Sequence, residues 1–259
     1  MFLEYAPMRY FKQSEPQRVY RSISYGPLLD VFVLDMRSCR GPNSANKQTV
    51  EDASSAYLGP AQIDWLIAQL KASKAAWKVI AAGMPIGLYV ADGADAAGAL
   101  RWEASVNGDD GVPSGRELEL ARLLKNIKGI KNITWITADV HHCAAHYYDP
   151  AKAAFTDFAP FREFVAGPMN AGSFGPNKLD MTFGPTAVFQ KAPPTANASL
   201  FAGYRFFGEV TIDPQSKAMS VELIDLDGRC QVGSVGAGAT GQNPISATAV
   251  CVTCGGRAK

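Results

Sequence analysis

The chain has 259 residues, 25 basic and 24 acidic side chains, a formal charge of +1 and a pI near 7.6. That balance excludes binding to nucleic acid or an anionic membrane through bulk charge, so any anionic ligand must be met by local charge. With 47% hydrophobic and 19% charged residues it has the composition of a globular domain with a sizeable core, and no apolar run reaches the ~18 residues of a membrane span.

In chain order, Met1-Phe2-Leu3-Glu4-Tyr5 lacks the basic-then-apolar layout of a signal peptide. Leu28 to Met36, LLDVFVLDM, reads as a strand covered on both faces. Pro60 opens a helix in which Ile63, Leu66, Ile67 and Leu70 form an apolar stripe. Trp77 to Ala82 is the next strand, ended by Gly83-Met84-Pro85. Ser114 and Glu117 form a capping box for a helix from about Arg116, with Leu120, Leu123, Leu124 and Ile127 as its stripe. Asn132 to His141 reads as the third strand, and the chain after His146 is rich in Gly, Pro, Phe and Asn. Phe206 to Ile212 and Ala218 to Leu226 read as a hairpin, and from Gly228 a disordered tail is expected. Five cysteines, with Cys251 and Cys254 in the tail, form no regular framework.

All three histidines, His141, His142 and His146, fall within six positions. On a strand, alternation puts Asp139 and His141 on one face and turns His142 away to the surface. A carboxylate with an imidazole suits zinc, iron or manganese, and α/β proteins build sites at the carboxyl edge of a sheet. The competing reading is of polar strand-end residues satisfied by loop backbone. Arg37 and Arg40 follow a buried strand, where a guanidinium fork matches phosphate oxygens, though a salt bridge to Asp35 or a nearby loop is the alternative. Asp110, in Asn107-Gly108-Asp109-Asp110-Gly111, offers either a hard oxygen ligand suited to calcium or an Asp-Gly turn. His146 reads as a group that orients a ligand or contacts substrate, or as a structural histidine. Asn177 and Asp180 read as turn formers. Neither a Gly-x-Ser-x-Gly elbow nor a P-loop is present.

Several segments occur in a telling order: Ser24-Tyr25-Gly26-Pro27, Leu34-Asp35-Met36-Arg37 with Arg40, Leu58-Gly59-Pro60-Ala61-Gln62, Trp77-Lys78-Val79-Ile80 and Ala138-Asp139-Val140-His141. Ala145-His146-Tyr147-Tyr148-Asp149-Pro150, Glu163 to Pro168 and Phe174-Gly175-Pro176-Asn177 follow. Together they resemble the carboxyl-terminal half of the PhoD-like alkaline phosphatases, of the calcineurin-like metallophosphatase superfamily, over about residues 2–227. The resemblance implies an α/β fold, part of a four-layer α/β/β/α metallophosphatase sandwich, as one domain over residues 1–227 with a tail over 228–259. It implies hydrolysis of phosphate monoesters or diesters with iron and calcium as cofactors, other divalent metals also fitting.

On this basis Asp139 and His141 match the family's Gly-Asp-Val-His metal motif, with Ala138 in place of glycine. Asp110 matches the acid of its Trp-Asp-Gly segment as a further metal residue, and Arg37 and His146 become the candidate catalytic groups. The family's other ligands lie on upstream segments that nothing in residues 1–27 resembles, so a truncated chain with little activity alone is expected. The missing amino-terminal half is then a candidate partner beside the phosphate ester substrate, and a non-catalytic remnant or binding module is the alternative. The parent family is periplasmic or secreted. Three structural expectations complete the reading. One apolar sheet face should lie uncovered, Asp110 should converge with Asp139 and His141, and Arg37 should approach from the strand neighbouring the third.

Overall fold

A computed structural model describes residues 2–7, 12, 14–228 and 230–235. A short helix, α1 (Phe2–Tyr5), precedes strands β1 (Arg21–Tyr25) and β2 (Leu29–Val33), which pair antiparallel. Helix α2 (Pro60–Ala72) leads to β3 (Trp77–Ala81), and a small hairpin, β4 (Ala91–Ala94) and β5 (Leu100–Trp102), precedes helix α3 (Glu117–Ile127). Then follow β6 (Ile133–Thr137), β7 (Cys143–Tyr148), β8 (Phe161–Val165) and β9 (Pro185–Lys191). The last described elements are β10 (Phe206–Ile212), β11 (Met219–Asp225) and β12 (Cys230–Val235).

Seven strands form the main sheet in the order β1-β2-β3-β6-β8-β7-β9, with β2, β3, β6 and β8 parallel. The parallel strands read as apolar runs because both of their faces are covered. On one side Ile80, Trp135 and Phe161 pack with Ile63, Leu66 and Leu70 of α2 and Leu120, Leu123 and Leu124 of α3. On the other, Trp77, Val79 and Phe164 meet Phe206, Met219, Val221 and Leu223 of the β10-β11-β12 sheet. The described residues therefore make three layers, α, β and β, of the expected α/β/β/α order. No helix among them is long and apolar enough to cross a membrane.

Both helix stripes and the hairpin lie where the periodicity puts them. The capping box is half formed: Glu117 accepts the Ser114 N–H at 3.0 Å, while the Ser114 hydroxyl accepts from Asn107 at 2.7 Å. Four expectations need correction. The third strand stops at Thr137, because Asp139 adopts a left-handed backbone (φ 68°) that ends the pleat. The strands ending near Arg37 and Asp139 are parallel and finish at one edge, but β3 lies between them. Neither face of the main sheet is left uncovered, since the hairpin packs on the second. Residues 230–235, expected in the tail, pair with β11, while 236–259, with Cys251 and Cys254, lie outside the described residues.

Candidate active site

Beyond β6 the chain turns sharply, the Val140 N–H donating to Ala138 O at 2.8 Å. Val140 is buried with Leu88, Ala144 and Val165, which anchors the turn and leaves Asp139 and His141 on the rim. The left-handed residue is Asp139 and not Ala138, so the alanine found where the family has glycine carries no backbone strain. His141 is held from the side. Its Nδ1 lies against Gly172 O, its ring stacks on Phe174 at 4.3 Å, and its carbonyl accepts the Phe174 N–H at 3.1 Å. With Nδ1 carrying the proton, Nε2 presents its lone pair, the arrangement usual for a metal-binding imidazole.

The opposite wall comes from the end of β2. The Asp35 carboxylate accepts the backbone N–H groups of Arg37 at 3.0 Å and Ser38 at 2.9 Å, so it shapes the turn and leaves the guanidinium free to reach outward. Arg37 bridges two carboxylates, Glu103 at 2.5 Å and Asp139 at 3.4 Å. Arg40 reaches the Glu103 carbonyl at 3.1 Å and its carboxylate at 3.8 Å. Arg40 and the buried Arg116 lie over the Tyr57 ring at 5.6 and 5.2 Å. These walls enclose a cavity of about 570 Å³ whose lining includes Asp139, Arg37, Arg40, Asp35, Tyr57 and Met84. That volume suits a small ligand. Burial and the neighbouring Glu103 raise the Asp139 pKa, with Arg37 opposing them, and the Glu103 partnership raises that of Arg37.

The remaining candidates lie elsewhere. Asp110 accepts the Met181 N–H at 2.8 Å, beside Asp180, which receives Gly108 N–H at 3.1 Å and Thr182 N–H at 2.9 Å. Asp110 thus belongs to a loop cluster with Asp180, and neither Asp110 nor His141 is among the described residues lining the cavity. Asp180 acts as the expected turn former, capping the short turn at Met181–Phe183, whereas Asn177 lies in no turn and donates across to Tyr89 O at 2.8 Å. His146, a candidate for substrate contact, is fully buried against Glu163 at 2.9 Å. His142, expected at the surface, is also fully buried, because the pleat ends before it and Gly175 packs on its ring. Glu103, which organises both arginines, was missed, since β5 and its flanks carry no periodic pattern to place it at the sheet edge.

Asp139 and His141 fit a cation: the carboxylate sits beside a second negative charge, and the imidazole is fixed with its lone pair outward. Among the described residues no group of three or more His, Cys, Asp or Glu side chains forms a complete metal cluster.

Fold and site together are those of an α/β protein that carries its charged groups at the carboxyl edge of a parallel sheet core. A PhoD-like phosphatase family model matches residues 1–223, and the chain belongs to that family. Alkaline phosphatase D of Bacillus subtilis (strain 168) is 26% identical over 223 residues, covering 82% of this chain and 36% of the relative. A solved structure of PhoD matches at 17% identity with a TM-score of 0.48, covering 93% of this chain and 48% of that one. The chain thus spans between 36% and 48% of the length of these relatives.

Proposed function

We propose that Asp139, His141, Arg37 and Arg40 form part of a site for metal-dependent hydrolysis of phosphate esters. The observation that carries this reading is the convergence of two guanidinium groups and a rim carboxylate on one cavity wall, with Arg37 3.4 Å from Asp139. Arg37 and Arg40 would bind non-bridging phosphate oxygens through their planar forks. Asp139 and His141 would hold the cation, and Glu103 would keep the two arginines aimed into the cavity. A bound metal, iron and calcium on the family resemblance, supplies charge stabilisation and an activated water. The Gly172 carbonyl keeps the His141 proton on Nδ1 and so keeps Nε2 available.

The described residues contribute the Asp-Val-His share of such a centre, whereas a two-metal site draws on roughly six to eight protein ligands. Low turnover by this chain alone, with the rest of the ligand set on a complementing amino-terminal half, is part of the proposal, as is a periplasmic or secreted location. The test is hydrolysis of p-nitrophenyl phosphate and bis-p-nitrophenyl phosphate with iron, calcium or manganese added. The rate is expected to lie at least about a hundredfold below a median enzyme turnover of ~10 per second. Co-expression with the amino-terminal half of a PhoD-like relative is expected to raise it. Turnover within tenfold of that median by the chain alone would show that it carries the whole site.

A further inference from the structure

Beneath the loop that holds His141 runs a row of buried polar groups that the proposed hydrolysis does not use. Trp135, Glu163 and His146 lie side by side in register across β6, β8 and β7, and Thr137, Val165 and Ala144 form the next row on the same face. His142 immediately precedes β7, two residues before Ala144, on the side of the strand that alternation gives to His146.

The Glu163 carboxylate accepts from Ile86 N–H at 2.8 Å, His146 Nδ1 at 2.9 Å and Tyr148 OH at 2.7 Å. Tyr148 OH in turn accepts the Gly87 N–H at 2.9 Å, so its own proton points to Glu163. His146 therefore directs an Nδ1–H to Glu163, and its buried Nε2 has no partner among the described residues. Among the described residues His142 has no partner at either nitrogen. The ring is fully buried with no charged partner, and a neutral imidazole offers one N–H and one lone pair. Trp135 Nε1, Thr137 Oγ1 and Ser173 Oγ are buried and unpartnered by protein as well.

These groups include donors and acceptors, so a simple cation or anion would satisfy only some of them, whereas water satisfies both kinds. Gly175 lets the loop backbone close directly over the His142 ring, since a Cβ there would come within 2.8 Å of His142 Nδ1. We infer that His142, His146 and Ser173 enclose a buried hydration site that seats the 172–175 loop and, through the Gly172 carbonyl, orients His141. His142 and Ser173 are then positioning residues. Their link to catalysis rests on His141 as a metal ligand; the hydration itself does not.

A crystal structure of the full chain at atomic resolution is expected to show ordered water within hydrogen-bond reach of the His142 ring and His146 Nε2. Rings enclosed by carbon alone would overturn the hydration site. Imidazole ¹⁵N NMR reads the positioning: His141 should be a single Nδ1–H tautomer in the native chain, mixed in His142→Phe and restored in His142→Asn. An unchanged His141 tautomer in His142→Phe would overturn that role, and Ser173→Ala makes the same comparison from the loop side if that variant does not fold. Titration with Mn²⁺ separates this inference from the metal reading. No uptake by the native chain would sink the metal reading and leave water and tautomer to decide the inference. With uptake, His142→Phe should weaken affinity roughly ten- to a hundredfold, and affinity within about twofold would again count against the positioning role.

Discussion

Glu117 is fully buried at the start of α3, where it accepts from Ser114 N–H and Asn107 Nδ2, each at 3.0 Å. Burial is the main cause that raises its pKa from 4.5 to about 8. The folded chain therefore holds a proton there that the unfolded chain has released, so this contribution is complete below pH 4.5 and is lost as pH rises through about 8. Against Glu117→Gln, the native chain is expected to lose on the order of a few kcal/mol over that window. Urea unfolding of both proteins between pH 5 and 9 checks it, and parallel pH profiles would refute it. Arg37→Ala should weaken inorganic phosphate binding by about tenfold or more, since charge-assisted hydrogen bonds contribute ~1.5–3 kcal/mol. Calorimetric titration showing unchanged phosphate affinity would remove Arg37 from the site. At this scale spacing and the family resemblance together proposed the Asp-Val-His pair, and both cavity arginines form the ion pairs that the sequence reading set against phosphate binding. The burial of His142 was not legible, because one left-handed residue, Asp139, breaks the alternation on which its placement depended.

Helices α2 and α3 are joined by more than their apolar stripes. The buried Glu119 of α3 accepts the N–H groups of Tyr57, Leu58 and Gly59 at 3.0, 2.8 and 3.2 Å, fixing the turn that feeds α2. Gly59 has a positive φ of 79° and a Cβ there would sit 3.1 Å from that of Cys39, so glycine is required at this turn. Glu119→Ala leaves three buried donors without an acceptor and is expected to destabilise the fold by roughly 2–4 kcal/mol. Leu66→Ala, a cavity at the same helix pair, should cost about 2–5 kcal/mol. Chemical denaturation measures both, and a loss below about 0.5 kcal/mol in Glu119→Ala would deny it the clamp role. The helices were readable from a 3.6-residue period that needs no partner. Strand β7, CAAHYY, was not, because its small and polar residues owe their burial to β8 and β9 on either side.

At the scale of the whole molecule, the hairpin β10-β11 covers the sheet face that was expected to lie open. One edge of the main sheet is β1, where Ile23 and Tyr25 are 39% and 62% accessible. An apolar edge strand templates pairing with another chain. Self-association, where it occurs, is expected to run through β1 and to fall in Ile23→Lys, as light scattering over a concentration series would report; an unchanged profile would place the contact elsewhere. Strand order escaped the sequence because apolar runs identify strands without specifying which neighbour each takes. The shared carboxyl edge did emerge from the alternation of strand and helix. That edge bears on the central claim, which anomalous diffraction from Mn²⁺-soaked crystals addresses most directly. A peak within coordination distance of an Asp139 carboxylate oxygen and His141 Nε2, absent in Asp139→Asn, is the expected result. A peak only at the Asp110 and Asp180 loop, or one indifferent to Asp139→Asn, would contradict the assignment of the site.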